Sequence, residues 1–396
     1  MPTATRTNPL SFLTDQLDEL RAKGTHFALR VLDDEQAAVC TFDGKRVINL
    51  ASNNYLGFAT HPKLREAALE ATRKYGVGSG AVRTIAGTMK IHMELEEKIA
   101  RFKNVEACVV FQSGFTANAG TVSSFLGKDD FIISDELNHA SIIDGCRLSR
   151  AKILVFRHKD VAHAEEQLAS VKNQPGKKLL ISDGVFSMDG DIGPLPGLCE
   201  AAEKYGAIMM VDDAHSSGVL GRNGRGTIDH FGMHGRVDIQ VGTLSKAIGA
   251  LGGYVCGTRD LIDFLYHRAR PFLFSTSHPP SVAATCIAAF DVLEKRTGAA
   301  RVQHRRADHS GERNSDHADH HWRRAPDHGF FSRAVQGRRA GNGHRVSHRS
   351  GRQSAGADDC DRHAHERRIG AGARSAGAGG KEDGDSGRLK LPSLSG

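Results

Sequence analysis

The sequence predicts an α/β protein built on a mainly parallel sheet with helices on both faces. Three observations point there. From residue 107 onward, short β-rich apolar runs alternate with helical stretches, the pattern of strands joined by crossover helices. Two of those runs, 207–211 and 238–241, lead directly into polar segments, Asp212-Asp213-Ala214-His215 and Thr243-Leu244-Ser245-Lys246. Both segments therefore sit at the carboxyl ends of strands, the edge where open α/β sheets place their ligands. An acid, an imidazole and a lysine meet there. Either segment alone also fits a surface lysine or a strand-end aspartate, so the weight rests on their combination.

The elements follow in order. Residues 9–30 read as an amphipathic helix and a connector, with Leu10, Leu13, Leu17 and Leu20 at helical spacing. A short strand over 46–50 leads into the polar turn 51–57, and a helix follows over 62–75. Gly76-Val77-Gly78-Ser79-Gly80-Ala81 looks like a dinucleotide loop, but Ala81 stands where a third glycine belongs and no strand precedes it. We read it as a flexible active-site loop. Ala86-Gly87-Thr88 opens a helix carrying His92, Leu95 and Ile99. Strands are expected at 108–111, 131–133, 153–156, 179–181, 207–211, 238–241 and 253–256. Helices are expected after the turn 113–118, from about 138, and over 161–171, 195–205, 259–268 and 280–295.

Length and composition set the outer limits. The 396 residues and 39% hydrophobic content suit one large domain and one small. No apolar run spans a bilayer, and residues 1–8 lack a signal core, so we expect a cytoplasmic protein with no membrane partner. The seven cysteines are scattered without a CxxC pair, which suits buried reduced thiols, and we expect no metal site.

The net charge of +7 comes from one end. Residues 301–396 hold 17 Arg and 2 Lys against 12 Asp plus Glu, and the rest of the chain is balanced at 34 basic and 34 acidic residues. The same 96 residues hold only seven Val, Leu, Ile or Met side chains, ten of the 21 His and the only Trp, Trp322. That composition cannot bury enough apolar surface to offset its ordering entropy. One reading is a basic tail for nucleic acid or metal. We take the other: GC-rich coding sequence translated out of frame, with no nucleic-acid partner. Three regions follow: an N-terminal helix and connector (1–50), a large domain (51–296), and a place for a small domain (297–396) whose sequence is lost or scrambled.

Within the large domain the motifs accumulate. Asn53-Asn54-Tyr55-Leu56-Gly57, Asn138-His139-Ala140-Ser141, Phe186-Ser187-Met188-Asp189-Gly190, Val211-Asp212-Asp213-Ala214-His215 and Thr243-Leu244-Ser245-Lys246 occur in one order. In that order and spacing, residues from about 21 to 296 resemble the α-oxoamine synthases, pyridoxal-phosphate enzymes of fold type I. Within the family the chain is most similar to the glycine C-acetyltransferases, then to the 8-amino-7-oxononanoate synthases. The resemblance covers about three quarters of the chain, and the motifs are specific as a set rather than singly.

The resemblance implies a PLP-dependent acyltransferase that joins an acyl-CoA to a small amino acid. The first expectation is glycine with acetyl-CoA, giving 2-amino-3-oxobutyrate. The alternative is alanine with pimeloyl-CoA, giving 8-amino-7-oxononanoate. A reading of another class is a cofactor-binding relic without turnover. Lys246 matches the lysine that carries the cofactor as a Schiff base and moves the substrate α-proton. Asp212 matches the carboxylate that keeps the pyridine nitrogen protonated. His215 matches the partner of the phenolic oxygen, and His139 the imidazole stacked on the ring.

For the phosphate, Ser113-Gly114-Phe115 precedes a helix whose first amides are free to bind an anion, and Thr243 and Ser245 add hydroxyls. Ser275 and Thr276 resemble the segment that completes the partner's site, so a homodimer with shared active sites is implied. Asn53 and Ser187 match residues near the substrate carboxylate and a cofactor oxygen. One departure stands out. The family's carboxylate-binding arginine lies in a C-terminal Arg-Ile-Arg-Asn type strand, and nothing around Arg367-Arg368-Ile369-Gly370 matches it.

Overall fold

Every residue of strands 107–111 and 131–135 is buried, as expected of strands with both faces covered. The structure, a computed structural model, describes residues 8–295. After α1 (Phe12–Ala22), an antiparallel ribbon of β1 (Val39–Phe42) and β2 (Lys45–Ile48) precedes α2 (Pro62–Tyr75) and α3 (Lys90–Lys103). The alternation then runs β3 (Ala107–Phe111), α4 (Gly114–Phe125), β4 (Phe131–Asp135), α5 (Ala140–Ser149), β5 (Lys152–Phe156), α6 (Val161–Val171), β6 (Lys178–Asp183), α7 (Leu195–Tyr205) and β7 (Ile208–Asp212). A short α8 (Thr227–His230) leads to β8 (Ile239–Thr243), β9 (Gly253–Gly257), α9 (Arg259–Arg268), α10 (Arg270–Leu273) and α11 (Pro280–Lys295).

The strands join in the order β3-β9-β8-β7-β6-β4-β5. Only β9 runs against its neighbours, β3 and β8, and the other pairs are parallel. The expected mainly parallel sheet is therefore present. On one face α4, α5 and α9 close over Val109, Ile132, Ile181, Met210 and Val241. On the other, α3 and α11 bury Leu95, Phe102 and Phe290, while α6 and α7 bury Leu168 and Leu198. This layering holds the carboxyl ends of β4, β6, β7 and β8 in one row.

Three details differ from the sequence reading. β1 pairs with β2 through Asp43 and Gly44, both at positive φ. An Asp-Gly pair between two strands is a strong hairpin signal, one that the sequence reading passes over. The stripe of α1 exists, but Leu10, Phe12, Leu13, Leu17 and Leu20 are 40–58% exposed, and none of the helix's residues is buried.

The glycine-rich stretch is not free along its whole length. Arg83 is buried, donates two hydrogen bonds to Glu96 (2.8 and 3.0 Å), and sits in a single π turn, Arg83–Gly87. Val82 bridges Thr276, and Ser79 Oγ donates to the Ser277 carbonyl at 3.0 Å. A buried guanidinium needs its partner, and that pair ties down the end of the expected flexible loop. The six cysteines among the described residues are all buried and unpaired. No helix among those residues is long and apolar enough to cross a membrane. The region 297–396 lies outside the described residues.

Candidate active site

β6 and β7 pair in register so that Asp183 lies opposite Asp212. Two carboxylates thus end adjacent strands, both buried. Asp212 Oδ2 accepts from Asn118 Nδ2 at 2.6 Å, and Oδ1 accepts from the Ala214 amide at 2.9 Å. Asn118 comes from α4 and also donates to Ser141 Oγ at 2.9 Å. Burial and then the neighbouring Asp212 charge push the carboxyl of Asp183 well up. Its Oδ2 accepts from the His139 amide at 2.8 Å, which fixes the start of α5.

Lys246 follows β8 and faces this pair. Burial lowers its pKa, while the charges of Asp212 and Asp183 partly oppose the fall. A desolvated lysine with a lowered pKa keeps more of its amine neutral and nucleophilic. His215 sits beyond the turn after β7, and its Nδ1 lies 2.7 Å from the Tyr55 hydroxyl. Burial, then the Lys246 and His139 charges, bring its pKa down to about 3, so near neutral pH its imidazole is uncharged. His139 is exposed at the mouth of the site, and its Nδ1 lies 2.7 Å from Ser141 Oγ. The strand ends thus bring Lys246, Asp212, His215 and His139 into one electrostatically linked group.

The anion cradle is built from α4 and β8. Ser113 caps α4, its Oγ accepting from the Thr116 amide at 3.1 Å. The preceding amides of Gly114 and Phe115 belong to the first turn, which has no intrahelical acceptors. A Cβ at Gly114 would sit 3.4 Å from Thr243 Cβ and 3.5 Å from its Oγ1, so a side chain there would fill the space beside Thr243. Thr243 Oγ1 lies 2.7 Å from Ser245 Oγ. Behind this turn, a Cβ at Gly253 would collide with the Ser113 backbone at 2.4 Å, so glycine there lets β9 approach the cradle.

The remaining expected residues are placed less centrally. Asn53 is exposed and accepts from the Tyr55 hydroxyl at 3.2 Å. Ser187 is exposed on the loop after β6. Thr276 is exposed, Ser275 partly buried, and the Thr276 carbonyl accepts from Gln112 Nε2. Three residues of the site were missed by sequence reasoning: Asn118, Asp183 and Tyr55. Asp183 carried a legible signal, since it ends an apolar strand just as Asp212 does. Asn118 gives none, because its role depends on where α4 lands against β7. Asp213, which alone would suit a helix N-cap, instead pairs with Lys103 at 2.8 Å in the interior.

Residues 45–314 match the family model for aminotransferase class I and II. The chain belongs to that family. Within it, the relatives are α-oxoamine synthases. It is 58% identical over 284 residues to an 8-amino-7-oxononanoate synthase of Symbiobacterium thermophilum, covering 72% of each chain. It is 56% identical over 287 residues to 8-amino-7-oxononanoate synthase 1 of Bacillus subtilis, covering 72% of this chain and 73% of that one. Among solved structures, a serine palmitoyltransferase variant from S. paucimobilis, described with a bound PLP–myriocin aldimine, aligns with TM-score 0.68 at 34% identity over 74% of each chain. An 8-amino-7-oxononanoate synthase from Francisella tularensis aligns with TM-score 0.54 at 32% identity, over 64% of this chain and 71% of that one. The protein is thus a fold type I enzyme of the acyltransferase kind. Of the two reactions expected from sequence, these relatives favour the second, so the first expectation, glycine C-acetyltransferase, gives way.

Proposed function

We propose that the chain encodes an 8-amino-7-oxononanoate synthase, condensing alanine with pimeloyl-CoA and releasing CoA and carbon dioxide. The observation that carries this is the identity of 56–58% with synthases of that name, joined to a site whose donor set fits pyridoxal phosphate. A buried carboxylate, a lysine with a lowered pKa, a neutral histidine and a helix N-terminus beside two hydroxyls are the kinds of group that the cofactor's nitrogen, aldehyde, phenolic oxygen and phosphate would need. When bound, the cofactor supplies an electron sink for charge left on the substrate α-carbon.

The chain's own residues do the rest. Lys246 holds the cofactor through its Nζ and then moves the proton at the substrate α-carbon. Asp212 holds a proton on the ring nitrogen. His215, held 2.7 Å from the Tyr55 hydroxyl, would hydrogen-bond the phenolic oxygen, and His139 would pack against the ring. Gly114, Phe115, Thr243 and Ser245 bind phosphate, with Ser275 and Thr276 completing the partner's site in a homodimer. Asn53 and Ser187 lie near the substrate end. Closed two-fold dimers are the commonest assembly. The buried thiols suit a reducing compartment, and we place the enzyme in the cytoplasm.

The same proposal covers the sequence after Val302. Asp, His and Asn codons have the form NAY. Read one nucleotide later, each begins AY and encodes Ile, Thr or Met. Residues 301–396 hold nine Asp, ten His and two Asn, so a single-nucleotide shift replaces these charged and polar side chains with Thr, Ile or Met. The shared 72% of this chain and of its relative leaves the place of the family's small domain to this segment. We infer that the gene carries a frameshift near the codons for residues 295–310.

The test of substrate class uses the frame-restored enzyme. CoA release is expected with alanine and pimeloyl-CoA, and the amino-ketone product retains no alanine carboxyl carbon. Faster turnover with glycine and acetyl-CoA would overturn this reading in favour of the acetyltransferase.

A further inference from the structure

Lys103, the last residue of α3, is fully buried and takes no part in the chemistry above. Its ammonium donates to Asp213 Oδ2 at 2.8 Å, to the Arg225 carbonyl at 2.7 Å and to Ser217 Oγ at 3.3 Å. Three N–H donors thus meet three acceptors. The other oxygen of Asp213 accepts from the hydroxyls of Thr227 and Ser216 and from the Thr227 amide at 3.2 Å. The Asp213 amide donates to the Val241 carbonyl on β8 at 2.8 Å, and the Asp213 carbonyl accepts from the Ser217 amide at 2.9 Å. Ser217 Oγ in turn lies 2.8 Å from the Tyr254 hydroxyl on β9.

The packing around this pair leaves no slack. A Cβ at Gly226 would lie 1.8 Å from Asp213 Oδ2 and 2.9 Å from Lys103 Nζ, and one at Gly184 would lie 2.6 Å from Asp213 Oδ1. Both glycines let backbone close directly over the ion pair.

A buried ion pair is a weak source of stability, because desolvation offsets most of the attraction. Its better-attested use is to fix one arrangement among several. Asp213 stands between Asp212 and His215, the two residues that would hold the nitrogen and the phenolic oxygen of the cofactor. The Ala214 amide that donates to Asp212 Oδ1 belongs to the same turn. Any slide of Asp213 therefore displaces both groups together.

We propose that Lys103 is a positioning residue, whose ion pair with Asp213 locks the Asp212–His215 turn in the geometry the cofactor site uses. This rests on the cofactor assignment under Proposed function. It adds an anchor in α3, a helix that supplies none of the groups placed at the site.

The experiment uses the full chain and reads cofactor binding rather than turnover. Lys103→Met is compared with the double variant Lys103→Met/Asp213→Asn, which removes both charges and so avoids an unpaired buried carboxylate. Leu168→Ala, in the α6–α7 layer, serves as a destabilised control. The dissociation constant of pyridoxal phosphate and the pH midpoint of its visible band are measured. Both Lys103 variants are expected to bind about tenfold more weakly, the low end of what partners supporting a site contribute, with a displaced midpoint. Leu168→Ala should lower the melting temperature and leave both quantities in place. If Lys103→Met does not fold, the double variant decides. A double variant that binds and titrates like the parent overturns the inference while leaving the cofactor assignment intact. A folded parent that takes up no pyridoxal phosphate overturns both.

Discussion

Changing Asp212 to asparagine in the frame-restored enzyme is expected to lower turnover by ~10³-fold, the upper range for removal of one preorganised electrostatic group. The substitution is isosteric, and an asparagine oxygen still accepts from Asn118 or from the Ala214 amide, so the fold and the bound cofactor should survive. What is lost is the negative charge that keeps a proton on the ring nitrogen. Without that proton the ring withdraws charge from the substrate α-carbon poorly. Absorption in the visible range should therefore persist while CoA release collapses. Activity within a few-fold of the parent would remove Asp212 from the role given to it.

Restoring the reading frame is expected to have an effect of similar size. In the family, an arginine of the small domain binds the substrate carboxylate, and this chain offers no match for it. A bidentate guanidinium–carboxylate contact is a strong charge-assisted interaction. Losing one partner of a buried charge pair costs about 3–5 kcal/mol, which is roughly a hundredfold or more in affinity. If the small domain is lost as proposed, the large domain is also expected to expose the apolar face that domain would cover, which promotes aggregation. The chain as given should be poorly soluble and nearly inactive. The frame-restored chain should gain at least about a hundredfold in alanine-dependent CoA release and should be recovered soluble. Equal activity from both would show that residues after Val302 form a working domain as they stand.

The fold was legible because six of the seven strands of the large sheet are almost wholly buried and read as plain apolar runs. The polar turns after them mark the ligand edge directly, and they single out Asp212, His215 and Lys246, which the structure brings together. Asn118 and Tyr55 are not singled out, because each enters the site through tertiary placement. Asn118 is carried in by the packing of α4, and Tyr55 reaches across 160 residues of chain to His215. Asp183 was within reach, since its strand ends in the same pattern as β7. The Lys103–Asp213 pair is a different kind of miss. A lysine ending an amphipathic helix reads as a solvated C-terminal cation, and only the structure puts it inside. The glycine-rich loop misled for a related reason, because its composition suggests freedom while buried Arg83 withdraws it.

The most direct measurement of the central claim is reduction of the cofactor-loaded chain with borohydride, followed by peptide mapping. A Schiff base to Lys246 becomes a stable secondary amine and leaves the pyridoxyl mass on that residue. Labelling should be strongest at mildly alkaline pH and should persist below the ordinary lysine value of 10.5, because burial lowers the Lys246 pKa. The account predicts one modified peptide, the one containing Lys246, and no label after Lys246→Ala. A label on another lysine, or none on well-folded protein, would contradict it.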